Sequence, residues 1–167
     1  MSNKFFKNKK TAVVFLIITV LSVLSFVMVS CSKAPSTDNA EMDAKISQAI
    51  LEQNKDKYLK GEYACESHHI YKTLSEDNKT MYYVQYVYNE YSAKNGKVER
   101  VSGGSSPAVI TFEENSEKYD FWEPNAGEPY PPEIEEKFPE DIAQNDSTLS
   151  ENLEKKCDTK AAEHFKK

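Results

Sequence analysis

Arginine is almost missing from this sequence, with Arg100 the only one among 167 residues. The chain therefore has no arginine cluster that would hold phosphates or carboxylates through paired hydrogen bonds. Two catalytic signatures are missing as well, namely the Gly-x-Ser-x-Gly element of many serine hydrolases and the His-Glu-x-x-His motif of zinc peptidases. No internal repeat or extended low-complexity region is visible. These absences leave no motif that names a reaction.

Positive charge is scarce beyond the first thirty residues. The 21 basic residues of the chain include four lysines before residue 31, so the rest carries 17 basic and 27 acidic residues, or −10. Nucleic acid and anionic membrane surfaces both require clustered positive charge. The composition therefore argues against both as partners and favours a solvated, acidic exterior.

The first thirty residues have the layout of an export signal. The segment from Thr11 to Ser30 carries no charge and follows lysines at positions 4, 7, 9 and 10. A basic segment, an apolar segment and a small residue before the cut mark a secretory signal peptide. Cys31 follows directly and resembles the lipid-attachment cysteine of bacterial lipoproteins, which becomes the new N-terminus once it carries diacylglycerol. We therefore predict a signal peptide over 1–30 and a lipid on Cys31 that holds the protein at the cell membrane.

An uncleaved membrane anchor is the alternative, because ~20 apolar residues suffice to span a bilayer. Both interpretations keep the lysines in the cytoplasm by the positive-inside rule, which places everything after residue 31 on the extracytoplasmic face. The segment Ser32–Ala40 is polar and contains Pro35, which indicates a tether over 31–40. The remainder, 41–167, has the length of a single domain.

Two amphipathic segments predict a helix at each end of this domain. We expect the first helix to end at Gly61, because glycine readily takes the left-handed conformation that ends helices. The last helix opens on the capping box Thr148-Leu149-Ser150-Glu151. A short helix over 133–138 is expected among the prolines that precede it. The apolar stripes consist of Met42, Ile46, Ala49 and Ile50 in the first helix and of Leu149, Leu153, Cys157 and Ala161 in the last.

Tyrosine, valine and isoleucine dominate the segments between these helices, as in β-strands. We predict strands over 63–74, 80–91, 108–113 and 118–122, with an additional short one over 98–102. Short polar loops join them, which is typical of an antiparallel meander. The sequence thus predicts an α+β fold, with a four- to five-stranded antiparallel sheet packed by an N-terminal and a C-terminal helix. A cystatin-like or nuclear-transport-factor-like arrangement is a fold-level analogy only.

The three cysteines divide between two roles. Cys31 is assigned to the lipid, which leaves Cys65 and Cys157 as an even pair in an oxidising compartment where disulfides persist. The pair would link the start of the sheet to the last helix, and closing so long a loop stabilises by ~4 kcal/mol in the chain-entropy model. Two buried free thiols are the alternative.

Aromatic residues form the candidate binding surface. Rigid amphipathic rings suit recognition of sugars or of proline-containing peptides. The alternative is that the rings pack beneath the helices with their hydroxyl groups at the rim. The four candidate residues are Tyr83, Tyr91, Trp122 and Tyr130.

Other polar residues carry weaker hypotheses. A zinc site built from Cys65, His69 and Cys157 is conceivable, but cysteine pairs outside the cell are more often oxidised. We interpret His164 as a boundary residue of the last helix rather than a catalytic base. The segment Ser102–Ser106 is expected to be a flexible loop, with an anion-binding backbone nest as the alternative. We expect no catalytic residue, metal or cofactor.

Several segments together resemble a known family. These are the surroundings of His68-His69-Ile70, the run Glu90-Tyr91-Ser92, the Ser102-Gly103-Gly104-Ser105 segment, 119–124 and 135–139. They are similar to a poorly characterised extracytoplasmic module of Firmicutes, found as stand-alone lipoproteins and joined to membrane metallopeptidase receptors of the β-lactam-sensor type. The resemblance covers roughly residues 42 to 166, lies in features of a fold, and implies sensing or binding without chemistry.

We therefore expect a non-enzymatic binding, sensory or accessory lipoprotein that meets an envelope protein or a cell-wall ligand. A cell-wall-directed hydrolase is the first alternative, because a chain with 27 acidic residues has many carboxylates to pair. A purely structural envelope protein is the second.

Overall fold

A computed structural model describes residues 37–114, 116, 118–125, 132–140, 142 and 147–166. Cys31 and Tyr130 lie outside these residues, as does the predicted signal peptide. None of the helices in the described part is long and apolar enough to cross a membrane. The elements in chain order are α1 (Thr37–Asn54), β1 (Tyr63–Glu76), β2 (Lys79–Lys94), β3 (Lys97–Glu113), β4 (Tyr119–Trp122), α2 (Pro132–Lys137) and α3 (Ser147–His164).

The predicted α+β class is confirmed. The four strands form one antiparallel sheet in the order β1-β2-β3-β4, which is a meander, with a helix at each end of the chain segment. The cystatin-like or nuclear-transport-factor-like arrangement is not confirmed. α1 begins at Thr37, inside the segment that the sequence assigned to the tether.

Both long hairpins turn on residues with positive φ. Asn95 and Gly96 have φ of 52° and 75°, as expected of the Asn-Gly turn between β2 and β3. Asp77 and Asn78 have φ of 49° and 61° between β1 and β2. In each hairpin the two strands are separated by only two residues. The loop between β1 and β2 is therefore shorter than the five residues that the predicted strands 63–74 and 80–91 leave between them.

The prediction of a flexible loop over Ser102–Ser106 is wrong. β3 is one strand of 17 residues, and Ser102 to Ser106 pair with Glu90 to Tyr86 of β2. The predicted fifth strand over 98–102 is the first part of the same strand. A register shift between Glu90 and Tyr91 leaves Val101 as the extra residue of a bulge, a feature that locally increases the twist of a strand.

Two glycines allow other groups to approach the middle of β3. A Cβ atom on Gly103 would overlap with the side-chain oxygen of Asn89, and φ at Gly103 is +153°. A Cβ atom on Gly104 would overlap with the hydroxyl group of Tyr58, whose ring stacks on Tyr88 at a centroid distance of 5.5 Å. Glycine inside a strand commonly marks such a close approach.

Proline explains why β4 is short. β4 pairs with β3 from Tyr119 opposite Phe112 to Trp122 opposite Val109. Two more residues in the same register would place Pro124 opposite Pro107, and neither proline has an N–H group for the ladder. The chain leaves the sheet there, and the side chain of Glu123 contacts Tyr86 and Lys57.

Helices cover both faces of the sheet. α1 packs through Ile46, Ala49 and Ile50 on alternate residues of β2 and β3, including Tyr86 and Ile110. α3 packs on the other face, as the steps of four predict, because Leu153, Cys157 and Ala161 are all buried. Ile134 of α2 and Phe138, which directly follows α2, pack on the remainder of that second face.

α1 ends earlier than the sequence predicted. It stops at Asn54, whose side-chain amide donates to the carbonyl oxygen of Ile50 at 2.8 Å. Gly61 instead lies against the backbone of Tyr91, where a Cβ atom would overlap with it, and its N–H donates to a carboxylate oxygen of Glu90 at 3.0 Å. The prediction that Gly61 ends the helix is wrong. A glycine is required there because the backbone of Tyr91 leaves no room for a Cβ atom.

Candidate functional site

A groove, which we call the α1 groove, lies between α1 and the ends of β3 and β4. It consists of two cavities of about 350 and 360 Å³ that share Lys45, Phe112 and Ser116. Their size falls in the range of small-molecule sites. The other lining residues are Met42, Gln48, Ala49, Glu52, Thr80, Glu113, Glu114 and Tyr119.

Aromatic rings form one wall of the α1 groove. Phe112 and Tyr119 are opposite each other in the β3–β4 pair, and their ring centroids are 5.9 Å apart. Phe112 is 8% exposed and also contacts the ring of Tyr82 edge-on at 6.0 Å. The cross-strand pairing therefore presents a fixed apolar surface to the groove.

Glu52 is an exposed, hydrogen-bonded carboxylate of the α1 groove. Its oxygens accept hydrogen bonds from the side-chain amide of Gln48 at 3.1 Å and from the hydroxyl group of Tyr119 at 3.0 Å. The bond from Gln48, together with that from Tyr119, lowers the pKa of Glu52 below its ordinary value, because both bonds favour the charged form. Glu52 is therefore a fixed negative charge rather than a proton acceptor suited to neutral pH.

Two other charged groups of the α1 groove form ion pairs. Lys45 Nζ lies 3.0 Å from a carboxylate oxygen of Glu41, one helical turn away. Glu113 pairs with Lys79 across the β2–β3 ladder at 3.4 Å. These pairs are exposed and contribute little to stability, but they offset the lysine charge at the rim.

The structure brings together two of the four predicted aromatic residues. Tyr83 is 6% exposed and lies in the same cluster as Trp122, and both rings contact Phe138, which directly follows α2, at 5.4 and 6.3 Å between centroids. Tyr83 is thus packed beneath a helix, as the alternative interpretation expected. Trp122 is half-buried at the edge of this cluster.

Tyr91 belongs to a different part of the sheet. It lies on the same face as Tyr83 but eight residues along β2, which is about 27 Å in an extended strand. It is 2% exposed, packs in the cluster under α3, and donates a hydrogen bond to Asp158 at 2.8 Å. Burial, together with this bond, raises the pKa of Tyr91 above its ordinary value. The described aromatic residues therefore do not form one continuous surface.

Cys65 of β1 and Cys157 of α3 meet between the sheet and the helix. Both are buried free thiols, at 3% and 0% exposure, and they belong to the same cluster. The Cys65 thiol donates to the backbone carbonyl oxygen of Glu66 at 3.5 Å. The interaction between the two thiols, followed by burial, raises the pKa of Cys157, whereas the same interaction lowers the pKa of Cys65. The disulfide stays a prediction, and the two residues lie in the same buried cluster.

The other weak candidates are placed as follows. His69 is exposed and its ring contacts Tyr71 edge-on at 5.2 Å. In the part of the chain that the structure describes, no group of histidine, cysteine or acidic residues is arranged to hold a metal ion. His164 is exposed and stacks on the ring of Tyr63 at 4.1 Å, consistent with a boundary residue of α3. Ser105 bonds to Gln85 at 2.7 Å and to Ser150 at 3.3 Å.

A buried charged cluster was missed by the sequence analysis. Glu66 and His68 lie two residues apart on the α1 side of β1, with 3.0 Å between His68 Nδ1 and Glu66 Oε2. The other ring nitrogen of His68 lies 3.2 Å from Asp43 of α1, although the geometry is not that of a hydrogen bond. Burial raises the pKa of Glu66, but interactions with His68, Ser47 and Lys160 together outweigh it and lower the pKa. The spacing of two within a strand is the signal that predicts this contact.

Tyrosine–carboxylate pairs inside the fold were also not predicted. Tyr86 donates to Glu123, which in turn pairs with Lys57, and Tyr88 donates to Glu90. The tyrosine hydroxyl groups are therefore satisfied at the edge of the α1 layer, where they hold the segment after α1 and the end of β4 on the sheet.

No protein-family model, curated protein or solved structure matches this chain.

Proposed function

We propose that this chain is a lipoprotein, anchored through Cys31 on the extracytoplasmic face of the cell membrane, that acts as a non-enzymatic binding, sensory or accessory module. The observation that carries the proposal is the α1 groove, which combines a cavity of ligand size with aromatic and ionised side chains. Ligand sites typically pair a mostly apolar surface with a few fixed polar groups. Phe112 and Tyr119 supply the first, and Glu52 supplies the second.

The electrostatics favour binding over hydrolysis. A general acid of the glycosidase type is a carboxyl group whose pKa is raised, so that it is still protonated when it meets its substrate. The described carboxyl groups whose pKa departs from the ordinary value, Glu52 and Glu66, are both shifted downward. Such groups hold charge in place and exchange protons poorly at neutral pH.

The short tether supports a role beside the membrane. α1 begins at Thr37, six residues after Cys31. Six extended residues span at most about 20 Å. A lipid on Cys31 would therefore keep the module close to the bilayer, where a membrane-bound partner or ligand is present at high effective concentration.

Crosslinking in cells followed by mass spectrometry tests this function. The matched control carries Cys31→Ala behind a signal peptide that is cleaved without lipidation, because Cys31→Ala in the native chain would retain the apolar segment 11–30, which can itself span a bilayer. We expect an envelope protein or wall fragment that is captured by the anchored protein and lost from the control. Equal capture by both proteins would contradict the role of the anchor, and cleavage of wall polymer by the purified protein would favour the hydrolase instead.

A further inference from the structure

We infer that the α1 groove binds a primary amine carried on an apolar body. This inference rests on the proposed binding function and specifies the chemical class of its ligand. It follows from three separate observations, namely the net charge of the groove lining, the hydrogen bonds of Glu52 and the position of the aromatic rings.

The charge of the α1 groove is negative. Its ionisable lining residues are Lys45, Glu52, Glu113 and Glu114. Lys45 is paired with Glu41 at 3.0 Å, and Glu113 is paired with Lys79 at 3.4 Å. An anionic ligand would meet excess carboxylate, whereas a cationic ligand finds complementary charge.

Glu52 is already oriented for an ammonium group. The amide of Gln48 and the hydroxyl of Tyr119 hold its carboxylate at 3.1 and 3.0 Å, and both donors are uncharged. These bonds orient the exposed carboxylate without neutralising its charge. An ammonium group offers three donors to the lone pairs that remain, and a bond between charged partners is stronger than a neutral one.

The ring wall selects for an apolar body beside that ammonium group. Phe112 and Tyr119 lie 5.9 Å apart, and the hydroxyl of Tyr119 is the same group that bonds to Glu52. A ligand that places its amine on Glu52 therefore has its adjoining carbon atoms against these rings. The rings add cation–π attraction to the amine and bury the apolar body.

Calorimetric titration of the full, membrane-extracted protein with benzylamine tests the inference. Benzoate and benzyl alcohol have the same ring and differ in charge, so they serve as matched ligands. We expect saturable binding of benzylamine and at least tenfold weaker binding of both others. Glu52→Gln keeps the shape of the side chain and should weaken benzylamine at least tenfold, whereas Glu163→Gln, an exposed change on α3, should leave it unaltered.

Several results would overturn the inference. Equal binding of benzylamine by wild type and Glu52→Gln would do so, as would benzoate binding as tightly as benzylamine. Vesicles that carry octadecylamine identify the source of the amine, because their competition with benzylamine supports a membrane-borne amine, and benzylamine binding without such competition supports a soluble amine. If benzylamine fails to bind while the crosslinked partner is still captured, the amine site is wrong and the proposed function stands.

Discussion

Cys65 of β1 and Cys157 of α3 pack in the same buried cluster, although the two residues are 92 positions apart in the chain. The contact is buried and surrounded by Val87, Leu153 and Ala161. It joins the first strand to the last helix, so a covalent bond at this point would close nearly the whole domain into one loop.

We predict that the exported protein carries a Cys65–Cys157 disulfide. Both thiols lose a hydrogen atom as the S–S bond forms, and an oxidised thiol–disulfide oxidoreductase of the envelope is the class of oxidant that accepts them. Reduction should lower the free energy of unfolding by up to ~4 kcal/mol. The measurement is alkylation of the unfolded protein before and after reduction. Two thiols that react before reduction would contradict the bridge.

Acid should weaken the contact between α1 and β1 through Glu66. The pKa of Glu66 is lowered from 4.5 in the folded state, so its charged form contributes stability above that value. This contribution is lost as the pH falls through the lower, folded-state pKa. Glu66→Gln should cost about 1–3 kcal/mol at neutral pH and flatten the acid limb of stability.

Urea denaturation from pH 7 to pH 3 measures this effect. Glu163→Gln is the matched control because Glu163 is exposed on α3. An acid limb that is equally steep in wild type and Glu66→Gln would show that other carboxylates determine the loss of stability.

Gly103→Ala should be among the most destabilising small substitutions in the chain. A Cβ atom there would overlap with Asn89 and with the backbone of Tyr88, at a φ of +153° that other residues rarely adopt. We expect a loss of about 3 kcal/mol or more. Gly96→Ala is the control, since its φ is also positive at +75° but nothing lies within 4 Å. Its expected cost is about 1 kcal/mol, and equal costs in thermal denaturation would contradict the packing argument.

Trp122→Ala tests the predicted aromatic surface. Because Trp122 packs on Phe138 at 6.3 Å, the substitution should lower the free energy of unfolding by about 2 kcal/mol. Partner capture in the crosslinking assay should persist at temperatures where the variant is folded, since the proposed ligand site is the α1 groove. If a folded Trp122→Ala protein no longer captures the partner, the binding site is the surface around Trp122 and not the α1 groove.

Local patterns were enough to predict most of the fold. The steps of four in α3 place each residue within one element, and the buried residues of that helix follow this period. The Asn95-Gly96 turn is equally local, because its backbone conformation depends on two residues. Local periods and turn residues are therefore enough to predict these elements from the sequence.

The errors came from contacts between distant residues. Gly103 and Gly104 have the composition of a loop, but they are glycines because Asn89 and Tyr58 approach β3 there. Gly61 is similarly required by the backbone of Tyr91. The α1 groove depends on Glu52 meeting Tyr119, 67 residues further along the chain, and no local period indicates that contact.

The intact mass of the protein extracted from membranes tests the central claim most directly, because the proposed function depends on a folded module held outside the cell by a lipid on Cys31. We predict the mass of residues 31–167 plus a diacylglycerol modification, and the unmodified full-length mass for Cys31→Ala. An unmodified chain that retains residues 1–30 in the wild type would contradict lipid anchoring and leave the uncleaved membrane anchor as the attachment.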